Sequence, residues 1–279
     1  MTLFDFSDYG ALLGLVTNSL IAGALLGIVG GLVGFFVMAR DLPFAVHGIS
    51  ELSFAGAAGA LLLGADVVAG SVVGSVVAAL LIGLLGARAR ERNSVIGVLM
   101  PFGLGLGILF LALYPGRSAN RFGLLTGQVV SVDGPQVLVL IAVSLVVLVT
   151  LLLVWRPLLF ASVDEDVAIA RGVPTRGLSM LFMVLLALTV SVAVQTVGAL
   201  LVLALLVTPA AAALRVASGP LAVSLLSMLF ATVAVVGGIL IALGSAIPIS
   251  PFVTTISFLI YAVCRIVGSG RASRVRSAA

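Results

Sequence analysis

The chain contains no lysine, one histidine (His47), one cysteine (Cys264) and one tryptophan (Trp155), and only 9% of its 279 residues are charged. Each scarcity removes a class of function. A P-loop needs a lysine that reaches the nucleotide phosphates, so any ATP-driven work has to be supplied by another subunit. A lone cysteine makes neither an internal disulfide nor a cysteine metal cluster; set in the last apolar segment, Cys264 reads as a packed, inert thiol. The fourteen basic residues are all arginine and no basic run is interleaved with aromatics, which leaves no nucleic-acid surface to propose. Charge this sparse also excludes a soluble domain of useful size. Asp5 and Asp8 stand before the first apolar run, where a cleavable signal would carry a basic region.

What is present is hydrophobic sequence, 62% of the chain. A spanning helix takes about 20 mostly apolar residues, and such runs recur at 10–38, 44–64, 67–86, 94–114, 135–155, 178–195, 197–214, 221–243 and 250–268. The fold class is therefore all-α, a polytopic membrane helix bundle of eight to nine spans. The division within 178–214 is the weakest, being marked only by Gln195, Thr196, Gly198 and Thr208-Pro209. A break there has to face protein or water, because lipid cannot satisfy free backbone groups.

Arginine placement orients the spans by the positive-inside rule. With the tail of Arg271, Arg274 and Arg276 in the cytoplasm, Arg40, Arg88, Arg90, Arg92, Arg156, Arg171, Arg176, Arg215 and Arg265 fall on the same side. Only Arg117 and Arg121 fall outside. Nine spans with the amino terminus outside give this distribution, and fusing 178–214 into one span would spoil it. Glycines at four-residue spacing (Gly23/Gly27/Gly31, Gly30/Gly34, Gly70/Gly74, Gly103/Gly107) allow close approach of helices.

Inside the second run stand His47 and, four residues on, Glu51. Positions i and i+4 share a helix face, and ionisable groups at membrane depth are costly and functional by default. Arg40 marks the cytoplasmic end of the first span, which places the pair roughly 10–16 Å along the next helix. Neutral imidazole plus carboxylate suits a divalent transition metal in transit, with Ser50 and Ser53 as weaker oxygen donors. The alternative is a His–Glu pair that satisfies itself and locks two helices together.

Asp66 either receives a cation at the outer surface or is a solvated turn residue. Gln195 and Thr196 either line the pathway or hydrogen-bond between helices. Asp133 reads as a turn or helix-start residue, and Trp155 as an interfacial anchor. Between Asp164 and Pro174, three acids open a short helix that Gly172 and Pro174 close. This segment is either a docking knob for a soluble partner or a solvated connector.

Four segments in order resemble the permease subunits of zinc, manganese and iron importers of the ATP-binding-cassette class (the ABC-3 metal permeases). They are Arg40 through Gly56, Arg121-Phe-Gly through Ser131, Asp164 through Gly172, and Val197-Gly-Ala-Leu-Leu through Pro209-Ala210. The likeness covers nearly the whole chain and implies one transmembrane permease domain over 1–279, with an Arg-rich cytoplasmic tail at 269–279. It further implies a prokaryotic cytoplasmic membrane, a cytoplasmic ATPase docking on Asp164, Asp166, Ala168 and Gly172, an external metal-binding protein and a second copy of the chain. It implies no catalytic residue and no tightly bound cofactor, only the transported ion. Where the family has Asp followed four residues later by His, this chain has His47 and Glu51, and Ala55 replaces the usual Pro. The borderline imidazole leans toward zinc, with manganese and iron as the other cargoes. A self-contained cation transporter or channel, and an assembly subunit with no pathway, are the other readings.

Overall fold

The computed structural model describes residues 16–86, 89–116, 134–245 and 248–276, with 10, 13, 14 and 132 in addition. Arg88, Arg117, the segment from Arg121 to Ser131, and Asp133 lie outside the described residues. Among the described residues eleven helices follow one another: α1 (Thr17–Ala39), α2 (Pro43–Leu63), α3 (Val67–Leu85), α4 (Ala89–Leu113), α5 (Gly134–Leu153), α6 (Trp155–Val163), α7 (Glu165–Ala170), α8 (Thr175–Val197), α9 (Ala199–Val216), α10 (Pro220–Leu243) and α11 (Ile249–Arg276). Eight are long and apolar enough to cross a membrane, and α9 is a shorter apolar helix. The protein is an all-helical, integral membrane protein, as its composition predicts.

The 178–214 run is two helices, divided at Gly198 with φ 85 and ψ 154. Two short helices, α6 and α7, occupy the connection before α8, although the sequence announced only the second. α6 starts at Trp155 after a turn at Val154, with Pro157 in its first turn. The expected tail at 269–279 begins inside α11, which continues as helix to Arg276.

The chain forms two compact units, 1–38, 129–137 and 203–279 in one, and 39–128 and 138–202 in the other. In the first unit α1 lies closely on α10. A Cβ on Gly27 would come within 2.5 Å of Thr232 Cα, and one on Gly31 within 2.5 Å of Met228 Cα. Only hydrogen fits there, which is what small residues at four-residue spacing permit. The Ser227 hydroxyl adds a 2.7 Å hydrogen bond to the Gly31 carbonyl.

In the second unit α2 is the interior helix, packed by α3, α4 and α8. Most of the apolar length of α2 and α8 is buried, whereas α3 and α4 leave apolar faces open, as lipid-facing helices do. Pro43 stands in the first turn of α2, where its missing N–H costs nothing. Gly64, left-handed at φ 68, ends it. A buried chain of hydroxyls joins three of these helices: Ser53 lies 2.8 Å from Ser71, and Ser71 donates to the Ser191 carbonyl at 3.2 Å. Such bonds hold helices together where the hydrophobic effect is weak.

Candidate functional site

His47 and Glu51 sit one turn apart on α2, with His47 Nε2 and Glu51 Oε1 separated by 3.7 Å. That distance exceeds hydrogen-bond range. The two groups face each other within ion-pair range, without a hydrogen bond. His47 Nδ1 and Glu51 Oε2 are also buried and have no hydrogen-bond partner. A self-satisfied structural pair would show the reverse, with each polar atom matched, since buried polar groups are hydrogen-bonded with few exceptions.

Metal–nitrogen and metal–oxygen bonds of about 2.0–2.2 Å span a 3.7 Å gap between donors at an opening angle of roughly 120°. The arrangement can therefore take a cation without moving the backbone. Exposure distinguishes the two: the imidazole side chain is 30% open and the carboxylate 5%. The imidazole is thus the more accessible of the two groups and the carboxylate the more enclosed. An unpaired buried carboxylate costs several kcal/mol, which a bound divalent cation would offset.

Close packing holds Glu51 in place. A Cβ on Gly103 of α4 would come within 3.0 Å of the Glu51 carbonyl carbon, and one on Gly74 of α3 would overlap the Leu52 carbonyl oxygen. The glycine spacing of the sequence pointed to close approach but not to this partner.

The other sequence candidates sit elsewhere or are already engaged. Ser50 is fully buried and its hydroxyl donates to the His47 carbonyl at 2.8 Å, spending its proton on its own helix. Ser53 belongs to the hydroxyl chain toward α3. Asp66 is the N-cap of α3, accepting from the Ala69 N–H at 2.6 Å. It lies beyond the far end of α2, roughly 18 Å of helix from Glu51 by the 1.5 Å rise per residue. The cap accounts for it. Thr196 donates to the Val192 carbonyl within α8, while the Gln195 amide nitrogen is buried without a partner. Among the described residues no group of three or more His, Cys, Asp or Glu side chains gathers to hold a metal. His47 and Glu51 stand as a pair.

The short acidic segment folds as its residues dictate. Asp164 caps α7, its carboxylate accepting from the Val167 N–H at 3.0 Å, and Glu165 and Asp166 fill the first turn, where the helix dipole favours negative charge. Gly172 follows at φ 80. Asp164, Glu165, Asp166, Val167, Ile169 and Gly172 are exposed, but Ala168 is fully buried. Of the four residues singled out from sequence, Ala168 is enclosed by the protein and Asp164, Asp166 and Gly172 are exposed. Val167 and Ile169 are its exposed apolar side chains, which the sequence did not single out because a six-residue helix is too short for its periodicity to be read.

Comparison with known proteins adds an independent observation. The model of the ABC 3 transport family matches residues 13–268. The chain is 32% identical over 223 residues to the manganese transport system membrane protein MntC of Halalkalibacterium halodurans, covering 80% of this chain and 76% of that protein. It is 32% identical over 225 residues to the manganese import system permease protein ScaB of Streptococcus parasanguinis, covering 80% of each. Among solved structures, PsaBC from Streptococcus pneumoniae in complex with Fab matches with a TM-score of 0.83 at 28% identity, over 93% of this chain and 95% of that one.

Proposed function

The chain belongs to the ABC 3 transport family, and from that premise we propose that it is the transmembrane permease of an ATP-binding-cassette importer for a divalent transition metal. The observation that carries the reading is the His47–Glu51 pair: a half-buried imidazole and a buried carboxylate on one helix face, 3.7 Å apart, each with a further polar atom left unpaired. Manganese is the first cargo to test, since relatives over most of the chain are named for manganese transport. Zinc, toward which the imidazole leans, is the second.

Two ligands are too few to hold an ion tightly, and a pathway has no use for tight binding because it must release what it captures. A second copy of the chain, contributing its own His47 and Glu51 at a shared axis, raises the count to four. The ATPase is a separate subunit that docks on the exposed face of α7, and an extracytoplasmic binding protein delivers the metal. The arginine distribution supports an external amino terminus and a cytoplasmic carboxyl terminus in a prokaryotic cytoplasmic membrane. The permease itself catalyses no reaction.

Reconstitution tests the reading. Together with a partner ATP-binding-cassette ATPase, the permease in liposomes should take up radioactive manganese or zinc in an ATP-dependent manner. Alone, it should neither hydrolyse ATP nor show ATP-dependent uptake. Robust ATP hydrolysis by the isolated chain, or uptake driven by an ion gradient without the ATPase, would overturn it.

A further inference from the structure

Arg40 lies in the turn between α1 and α2, three residues before the site helix begins at Pro43. Its guanidinium is held from two sides by parts of the chain more than a hundred residues away. Nη1 donates to the Ser162 hydroxyl at 3.1 Å, and Nη2 donates to the hydroxyl of Ser179. The guanidinium carbon lies 5.7 Å from the ring centre of Phe182, which stands one turn along α8 from Ser179. Both edges and one face of the group are therefore occupied, a geometry that arginine's planar fork supports and a lysine cannot reproduce.

The location of these partners is informative. Ser162 is the penultimate residue of α6, two residues before Asp164, the cap of α7. Its own proton goes to the Leu158 carbonyl at 2.6 Å, leaving its oxygen to accept from Arg40. Ser179 and Phe182 lie in the first turns of α8, the helix that leaves α7. One side chain thus grips both elements that flank the short acidic helix. Burial lowers the pKa of Arg40 from its ordinary value, the charge of Glu165 in the first turn of α7 works against that, and the charge of Arg92 lowers it further.

The turn that carries Arg40 is fixed on its other side as well. Arg92 of α4 donates to the Asp41 carbonyl at 3.4 Å, and Asp41 has a left-handed backbone with φ 53, a conformation few non-glycine residues adopt. From this turn α2 rises from Pro43 as an unbroken helix, carrying His47 about 6 Å along its axis by the 1.5 Å rise per residue. A desolvated cation with two neutral acceptors is a costly way to staple helices.

We propose that Arg40 is a positioning residue for transport, a strut that ties the His47/Glu51 helix to the segment carrying α7, so that displacement of α7 by a docked ATPase is passed to the metal pair. The inference rests on the importer reading. Failure of the wild-type permease–ATPase complex to take up metal would overturn that reading, whereas the strut is judged by variants of a complex that does transport.

Three quantities are read on the reconstituted complex: radioactive manganese uptake, ATP hydrolysis, and manganese binding to the detergent-solubilised complex. In Arg40→Ala, uptake per ATP hydrolysed should fall about tenfold or more, the scale of loss that misplacement far from the acting groups can produce. ATPase co-purification and manganese binding should persist. Arg40→Lys, which keeps the charge without the fork, should recover part of the ratio. Ser162→Ala/Ser179→Ala, which removes only two hydroxyls, should lower it in the same direction and decides the matter if Arg40→Ala does not reach the membrane. An unchanged ratio of uptake to hydrolysis, or loss of ATPase association in step with uptake, would overturn the strut.

Discussion

Gly103 lies directly on the backbone of Glu51, so close that a Cβ there would sit 3.0 Å from the Glu51 carbonyl carbon and 2.6 Å from Leu52 Cδ1. The acid at the centre of the site is thus registered by a neighbouring helix with no room to spare. Gly103→Ala should lower both metal uptake and thermal stability in detergent, by about 1–3 kcal/mol for an overpacked contact. Gly105→Ala, on the same helix with nothing within 4 Å, should be neutral or slightly stabilising, because alanine is the better helix former. Equal behaviour of the two variants, measured by uptake and thermal unfolding, would contradict the role given to this contact.

The pair itself predicts a ranking. His47→Ala and Glu51→Ala should each abolish or strongly reduce metal uptake while the protein remains in the membrane. Glu51→Asp should retain more uptake than Glu51→Gln, because the carboxylate charge offsets a divalent ion and the amide cannot. The order is read from initial uptake rates at matched membrane abundance. Wild-type rates in Glu51→Gln would return the pair to a structural role.

The sequence exposed the site helix because ionisable residues in an apolar run are rare and have a physical cost. α7 was legible for the same kind of reason: Asp164 to Asp166 and Gly172-Val-Pro174 are start and stop chemistry that few segments share. α6 was not, because the apolar run passes through the turn at Val154 without interruption and Arg156-Pro157 reads equally well as a loop. Partner identity was also hidden. A glycine every four residues promises close packing, but nothing in the spacing says that Gly103 meets Glu51 or that Gly31 meets Met228. The contacts of Arg40 with Ser162 and Ser179 join residues whose types carry no pairing signal.

On α7, burial separates docking from folding. Val167 and Ile169 are 45% and 55% exposed while Ala168 is fully enclosed. Val167→Asp and Ile169→Asp should therefore reduce co-purification of the ATPase and uptake together, with the permease itself as stable as wild type. Ala168→Arg should lower the stability of the permease, because it places a charge where there is no space. Co-purification and thermal unfolding, measured side by side, check the division. Full ATPase binding by the Val167→Asp/Ile169→Asp double variant would make α7 a plain connector.

The break between α8 and α9 rests on one residue. Gly198 has φ 85 and ψ 154, an extended conformation with positive φ that is essentially reserved for glycine. Its N–H still bonds to the Val194 carbonyl at 3.0 Å, so α8 runs intact up to the point where the chain turns. Any side chain here strains the backbone, whatever space surrounds it. Gly198→Ala should cost about 1–3 kcal/mol and lower the thermal midpoint in detergent. Gly177→Ala, in the first turn of α8 with nothing within 4 Å, should leave the midpoint unchanged or raise it. The two substitutions add the same methyl group to the same protein, so the difference between them isolates the backbone conformation at the break. If Gly198→Ala melts with Gly177→Ala, an ordinary conformation is open to residue 198, and the division of this apolar run into two helices does not depend on glycine.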